Sequence, residues 1–325
     1  MMGEHLMVSR SILAALVVTV GTSFTAIPAA AAQKNLIQAE SFPSEEGKRL
    51  EVDAADLDVR VSHADVNEIE VDILLHIRGL GDEKGQRWID GHTPSFADTD
   101  DRLQITVETG KSGFLGFGHL SARAQLSVLA PGEVIPDVTT TSGSIQVRGD
   151  FPAADPLRLR TSSGNMELNG ATASLDIRTA DGDAQIDVFR PLSYFFARTS
   201  SGDVQLVGGA REARVDTASG KISLNNLSGS VAISTTTGKI TLSWDRLDPG
   251  QTIRIRSSSG RVHLMVPEGV KPQGTLTTTT GTIRSEFPGL VSADDSTLNL
   301  TGDGPTFDVE TASGDIQLTS GETWG

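Results

Sequence analysis

The stretch Thr161–Leu168, which reads Thr-Ser-Ser-Gly-Asn-Met-Glu-Leu, decides the fold of this chain. The phrase Thr-x-Ser-Gly-x-Ile-x-Leu that it represents recurs nine times between Thr140 and Leu318. Most copies follow one another at 18 to 22 residues, and the last follows at 33. Their glycines are Gly143, Gly164, Gly182, Gly202, Gly220, Gly238, Gly260, Gly281 and Gly314. A period near 20 residues is typical of a solenoid, in which each repeat is one supersecondary unit.

Apolar residues alternate on both sides of each glycine. Most copies have apolar residues two and four positions after the glycine, as at Ile222 and Leu224. Another lies five positions before it, as at Val215, and a threonine lies three before it in every copy except Ser257. Apolar residues at a spacing of two mark a strand with one buried face. Each copy therefore contains two strands.

The two strands of a copy are out of phase with each other. The inward threonine and the inward isoleucine lie five positions apart, and a continuous strand would place them on opposite faces. The chain must therefore bend between them. Ser, Thr or Asp precedes every glycine, and glycine adopts positive φ without steric cost. We expect each unit to be strand, corner and strand, with positive φ at the glycine.

One such unit cannot bury its apolar face, whereas stacked units form parallel sheets around a continuous core. The prediction is an all-β, single-chain β-solenoid with coils of about 20 residues, wound right-handed. Nine coils at about 4.8 Å each extend over roughly 40 Å. Ile222 and Ile240 should stack in one buried column. The inward threonines should form a ladder in which each hydroxyl bonds its neighbour.

Four segments are expected along the chain. Residues 1–32 have a basic residue, an apolar run and an Ala-rich cleavage site, the pattern of a secretory signal peptide. The others are an exposed lead-in at 33–47, a β-rich N-terminal section at 48–135 that caps the solenoid with wider or antiparallel coils, and the repeats at 136–325.

Three segments depart from the pattern of short strands and tight turns. Gly79 to Asp101 and Phe287 to Pro305 are predicted as long loops. The third segment is glycine-rich and contains Phe114 and Phe117. These two aromatic side chains either fold back onto the solenoid end or form an exposed contact patch.

The composition excludes several classes of function. The net charge of −15 disfavours nucleic acid, because binding the phosphate backbone requires a basic patch. The chain has no cysteine, which excludes disulfides and thiolate metal sites. After the signal peptide, no run is long and apolar enough to span a bilayer. The expected location is extracytoplasmic, either periplasmic or secreted.

Few residues suggest chemistry. No two histidines have metal-ligand spacing, and we expect no cofactor, no metal and no catalytic residue. Acidic loops around Asp98 and Asp294 are the candidates for Ca²⁺. Arg160, Arg178 and Arg198 should stack along one edge of the solenoid. They either pair with nearby acids, such as Asp183 five residues after Arg178, or bind the carboxylates of a polysaccharide.

The repeat resembles a bacterial domain family labelled "putative adhesin". The resemblance rests on the phrase at Thr161–Leu168 and at Thr311–Leu318, and on a Val-rich opening at Asp65–Val71 that precedes the step from Val128 to Pro131. It covers roughly residues 48–321. The resemblance implies an extracytoplasmic β-solenoid, and the family offers no catalytic residues to carry over.

Three functions remain open at this point. The first is a non-enzymatic, adhesin-like binding or structural module at the cell envelope, whose partner is an envelope protein or a polysaccharide. The second is a periplasmic partner of an envelope-stress or sensor system. The third is a carbohydrate-active enzyme built on a β-helix, which would need a groove lined by acids and bases.

Export gives a direct test. If residues 1–32 are a signal peptide, mature protein recovered outside the cytoplasm should begin near Gln33. N-terminal sequencing of that material measures this. A retained Met1 or Met7 would contradict the prediction.

Overall fold

The computed structural model describes residues 33–78, 82–108 and 121–321. Among these residues, the section before the repeats contributes seven strands and one helix. These are β1 (Gln33–Pro43), β2 (Arg49–Asp53), β3 (Asp58–His63), β4 (Glu68–Arg78), α1 (Asp82–Gly91), β5 (Ser95–Asp98), β6 (Arg102–Thr106) and β7 (Ser121–Ala130). No helix among the described residues combines the length and apolar content needed to cross a bilayer.

Each glycine repeat contributes two strands, one before its glycine and one after. The first eight pairs are β8 (Ile135–Thr139) and β9 (Ile145–Phe151), β10 (Leu157–Arg160) and β11 (Met166–Thr172), β12 (Ser174–Arg178) and β13 (Ala184–Val188), β14 (Tyr194–Thr199) and β15 (Val204–Val207), β16 (Glu212–Thr217) and β17 (Ile222–Leu227), β18 (Ser230–Thr237) and β19 (Ile240–Trp244), β20 (Thr252–Ser259) and β21 (Val262–Val266), and β22 (Gln273–Thr280) and β23 (Ile283–Ser285). Two further strands, β24 (Gly289–Val291) and β25 (Thr297–Thr301), precede the last pair, β26 (Thr306–Ser313) and β27 (Ile316–Ser320).

The strands form two long sheets. Sheet A has the order β1-β4-β7-β3-β9-β11-β13-β15-β17-β19-β21-β27-β23, and sheet B has the order β24-β25-β22-β26-β20-β18-β16-β14-β12-β10-β8-β2-β6-β5. In every repeat the strand before the glycine lies in sheet B and the strand after it lies in sheet A, which confirms the bend. Eleven neighbouring strands in each sheet run parallel, so the stack is about 48 Å long. The all-β solenoid is thus confirmed, while its handedness stays a prediction.

The core consists of stacked columns between the sheets. Ile222 lies directly beside Ile240 in the register of β17 and β19, and both are buried, as predicted. Lys221 and Lys239, which precede them, are exposed. Burial of each apolar side chain in these columns contributes about 1.5–3 kcal/mol, which offsets the entropy lost on ordering the coils.

The corner glycines form a column of their own. A Cβ on Gly164 would overlap the carbonyl oxygen of Gly143, and a Cβ on Gly182 would overlap that of Gly164. The same relation continues through the later repeats. Positive φ occurs at Gly220, Gly238, Gly260, Gly281 and Gly314 but not at the first four corner glycines, so the expectation of positive φ at every corner is wrong. Close stacking of backbones is what all nine corners share.

The threonine column does not form the predicted ladder of hydroxyls. The Thr140 hydroxyl donates to the carbonyl oxygen of Gly143 at 2.6 Å, and the Thr179 hydroxyl accepts from the amide of Gly182 at 2.9 Å. Each corner interrupts the ladder of the sheet and leaves backbone groups to be satisfied. The threonines bond these backbone groups either in their own corner or on the neighbouring coil, as the Thr278 hydroxyl does to the carbonyl oxygen of Gly314 at 3.0 Å.

Coils follow the chain order in the middle of the stack and depart from it at both ends. The last repeat lies between the coil of β20 and β21 and the coil of β22 and β23. At the other end, the coil of β2 and β3 lies between β6 and β7 on one side and β8 and β9 on the other. The N-terminal section therefore belongs to the same two sheets and shares one hydrophobic core with the repeats.

Three segments contain more structure than the sequence predicted. The exposed lead-in at 33–47 contains the eleven-residue strand β1, which pairs antiparallel with β4. The predicted loop from Gly79 to Asp101 contains α1 and β5, and Ile89 of the helix packs into the core. The predicted loop from Phe287 to Pro305 contains β25, which pairs antiparallel with β22, and β24, which pairs antiparallel with β25 at the edge of sheet B.

The corner column predicts the effect of Gly220→Val. Gly220 has φ of +121°, and an added Cβ would overlap the carbonyl oxygen of Gly202. We expect a loss of at least about 1–2 kcal/mol in the free energy of unfolding, measured by urea denaturation. Gly250→Val is the matched control, because Gly250 has φ of +88° with no atom within 4 Å of an added Cβ. An equal or larger loss at Gly250 would contradict the stacking argument.

The core columns predict that substitutions at two adjacent residues differ strongly in their effect on stability. Ile240→Asp places an unpaired carboxylate in the core, which should cost several kcal/mol of unfolding free energy. Lys239→Asp makes a larger change in charge at an exposed position, and we expect less than about 1 kcal/mol. Urea melts combined with hydrogen exchange would measure both, and the protection lost in Ile240→Asp should centre on adjacent coils. Equal stability of the two variants would refute the assigned columns.

Candidate binding face on sheet B

The outer surface of sheet B carries charged residues in two adjacent rows. Strand alternation turns one residue in two toward solvent, and parallel pairing stacks them from coil to coil at about 4.8 Å. We call the set on β8, β10, β12, β14 and β16 the cationic face; it consists of Asp137, Arg158, Arg160, Asp176, Arg178, Phe196, Arg198, Arg214 and Asp216.

The three arginines singled out from the sequence do lie side by side. Arg160 is in register with Arg178, and Arg178 is in register with Arg198. On β14 the outward neighbour of Arg198 is Phe196. The guanidinium carbons of Arg178 and Arg198 lie 5.4 and 5.7 Å from the centre of its ring. Such cation–π contacts hold guanidinium planes in place at exposed sites.

Each arginine of this row also contacts a carboxylate. Arg160 donates to Asp137 at 2.6 Å, and Arg178 donates twice to Asp176 at 3.0 Å. Hydrogen bonding to the Asp176 carboxylate raises the pKa of Arg178 above its ordinary value. These contacts orient the side chains, although exposed ion pairs stabilise the fold by only about 0–1 kcal/mol each.

Asp216 is shared by two arginines. Arg198 and Arg214 both donate to it at 3.3 Å. The side chain of Arg198 is 59% exposed, whereas that of Asp216 is 21% exposed. The same holds on β12, where Arg178 is 49% exposed and Asp176 is 15% exposed. A molecule approaching this surface therefore meets guanidinium groups before carboxylates.

The partners of the arginines differ from those predicted. Arg178 and Arg198 do not pair with Asp183 and Asp203, five residues after each of them. Five is an odd number and spans the corner, so these aspartates lie beyond the bend while the arginines stay on sheet B. The Asp183 carboxylate instead accepts from the amide of Asp203 on the next coil, at 2.9 Å.

Side-chain oxygens form a ladder of hydrogen bonds along the corners, from each coil to the next. This ladder was not predicted from the sequence. Asn165 accepts from the amide of Asp183, and Asp203 accepts from the amide of Lys221, at 3.1 and 2.7 Å. Asp58 begins the same pattern by accepting from the amide of Ser144 at 2.9 Å. The signal for it is present, because the residue after the glycine is repeatedly Asp or Asn, the types that bond nearby backbone in turns.

The cationic face carries an excess of positive charge. Its five arginines face three aspartates, and the exposed Glu212 lies beside them at the start of β16, which leaves one positive charge on a chain whose net charge is −15. Two strands further on, Arg254 and Arg256 are matched by Asp308 and Glu310. That second cluster is balanced, so the excess is confined to the strands from β10 to β16.

The other predicted contact residues cannot be placed. Phe114 and Phe117 lie outside the described residues, as does the glycine-rich segment that contains them. The nine corner glycines lie between sheets A and B and take part in coil stacking rather than in a ligand site.

The acidic loops do not converge into a metal site. The Asp98 carboxylate lies 2.6 Å from the Nζ atom of buried Lys48, which also donates to the carbonyl of Pro43 at 2.8 Å. Asp294 accepts from the hydroxyls of Ser292 and Ser296, and these bonds lower its pKa to about 2. No group of three His, Asp or Glu side chains suited to a metal ion occurs among the described residues.

The fold and this face define a class of protein: a β-solenoid with flat polar faces and a cationic patch on one sheet. The chain belongs to the Toastrack family, DUF4097, whose sequence profile matches residues 47–319. This family has no established function. No curated protein matches the chain.

The chain also matches solved structures from Parabacteroides, Bacteroides and Clostridium species. One is described as a putative lipid binding protein from Parabacteroides distasonis; the match has 14% identity and a TM-score of 0.50, covering 88% of this chain and 97% of that chain. Another is a putative adhesin from Bacteroides fragilis, with 13% identity, a TM-score of 0.41 and coverage of 88% and 97%. A putative cell adhesion protein from Clostridium sporogenes matches at 11% identity and a TM-score of 0.23, with coverage of 89% and 100%. At 14% identity, the match with the TM-score of 0.50 concerns the fold alone.

Proposed function

We propose that this protein is an exported, non-enzymatic binding module of the cell envelope, and that its cationic face binds an anionic polymer. The class of polymer that fits best is an acidic polysaccharide with a carboxylate on each sugar. The expected signal peptide supports the location. The names of the fold neighbours, which include adhesion proteins, agree with a binding role.

The stacked row of arginines is the observation that carries this proposal. Arg160, Arg178 and Arg198 repeat at the strand spacing of about 4.8 Å, so a chain lying across the strands meets one guanidinium per coil. A polyuronate presents carboxylates at a comparable spacing along its length. Each guanidinium has five donors in a planar fork that suits carboxylates, and the pairs described above use only part of them.

The Phe196 ring adds a second element of recognition. Its centre lies 5.4 and 5.7 Å from the guanidinium carbons of Arg178 and Arg198 and the side chain is half-buried, so its exposed part offers an apolar patch beside these charges. Sugar rings have apolar faces that pack on such surfaces, whereas free inorganic anions do not. The combination favours a carbohydrate chain over a small anion.

The double variant Arg178→Gln/Arg198→Gln tests the proposal. We expect binding of polygalacturonate, measured by titration calorimetry, to weaken about tenfold or more, since two charge-assisted contacts are removed. Binding by the wild type should also weaken with salt, because exposed charges are screened. Neutral dextran should not bind.

The matched control is Arg148→Gln/Arg190→Gln, which removes the same charge at exposed positions outside the cationic face. Binding close to that of the wild type is expected for this control. Equal weakening in both double variants would show that net charge alone attracts the polymer. Absence of binding by the wild type would overturn the assignment of an acidic polysaccharide.

A further inference from the structure

The described part of the two sheets ends in four edge strands, and one of them differs from the rest. Sheet B ends at β24 and β5, which have three and four residues, and sheet A ends at β23, which has three. The fourth edge is β1, which has eleven residues. An edge strand exposes backbone donors and acceptors to any other strand, and proteins commonly keep such edges short.

The three short edges also carry other features that hinder pairing. Arg284 lies within β23, Pro288 immediately precedes β24, and Asp98 ends β5. Charges and prolines at edges prevent unwanted strand addition. These ends of the solenoid are therefore protected in the usual way.

The outer row of β1 is uncharged from Asn35 to Ser41, whereas Glu40 lies in the other row and Pro43 only ends the strand. Asn35, Ile37, Ala39 and Ser41 all point to solvent, and none carries a charge. Ile37 is 75% exposed, and its partner across the ladder is Leu74, which is 38% exposed. On a chain of net charge −15, a neutral row around an exposed apolar pair stands out as a surface built for contact.

We infer that β1 is a homodimer interface, in which the β1 strands of two copies pair antiparallel about a two-fold axis near Ile37. Because the row is neutral, two identical copies meet without opposing like charges along it. The two-fold axis brings Ile37 of each copy against Ile37 of the other, with Leu74 flanking on both sides. The four side chains then pack side by side in one apolar stripe, and sheet A continues from one copy into the next.

The symmetry also explains why assembly stops at two. An isologous contact uses the same strand in both copies and leaves no second β1 free. The remaining edges are three or four residues long and protected, so they do not extend the assembly.

A single introduced cysteine tests this arrangement, because the chain has none of its own. In an antiparallel pair, directly opposed Cβ atoms lie about 4.5–5.5 Å apart, which is close to disulfide geometry. The full chain with Ile37→Cys should form a disulfide-linked dimer rapidly under mild oxidation. Val291→Cys is the control, since Val291 is 60% exposed on the edge strand β24, and it should cross-link far more slowly.

Sedimentation measures the association without a cross-link. We expect the wild type to show a concentration-dependent dimer, and Ile37→Lys to raise the dissociation constant by about tenfold or more. The fold should tolerate this change because Ile37 is exposed, and unchanged circular dichroism would confirm that. Val291→Lys should leave the dimer intact.

A wild type that is monomeric at every concentration would overturn the inference. The edge of β1 would then be open to pairing with a strand of another protein. A dimer that survives Ile37→Lys but not Val291→Lys would place the interface at the opposite end. Equal cross-linking rates at both cysteines would indicate random collision and would also overturn it.

Discussion

The structure depends on how closely the backbone of one corner packs on the backbone of the next. At each corner, a carbonyl oxygen of the adjacent coil occupies the space that a Cβ on the glycine would need, as the oxygen of Leu57 does for Gly143 and that of Gly143 does for Gly164. A larger residue would push neighbouring coils apart and lengthen the hydrogen bonds of both sheets at once. Glycine is therefore required at every repeat even where φ is not positive. This requirement is what makes the period of the sequence visible.

The middle of the solenoid could be predicted because its determinants are local. The spacing of Thr, Gly and Ile gives the inward columns, the bend and the stacking of Ile222 on Ile240. The ends could not be predicted, because the choice of neighbouring coil depends on long-range pairing that leaves no periodic signal. The spacing of 33 residues before Gly314 marks the place where the chain leaves the stack. It does not indicate that the last coil inserts between the two coils that precede it in sequence.

The same distinction applies to the cationic face. Strand alternation and the repeat period place Arg160, Arg178 and Arg198 side by side from sequence alone. Their carboxylate partners depend on side-chain reach across coils, so Asp216 on the neighbouring coil pairs with Arg198 and the corner residue Asp203 does not. Phe196 was missed because its spacing is that of any outward residue. Its role becomes visible only when the register brings two guanidinium groups over its ring.

Both ends of the solenoid must cover the terminal coil, as in every open stack of coils. The last parallel coil exposes both its core and its edge, and the chain closes each end by doubling back with antiparallel strands, β4 and β1 or β25 and β24. At one end Leu298 and Leu300 of β25 become buried, and the new edge is only three residues long. At the other end α1 covers the core with Ile89, and this leaves β1 as a long edge with Ile37 facing outward. The ends thus differ in how completely they are closed, whereas the coils between them are nearly equivalent, and selection for contact with another molecule can act on β1 without disturbing the glycine column.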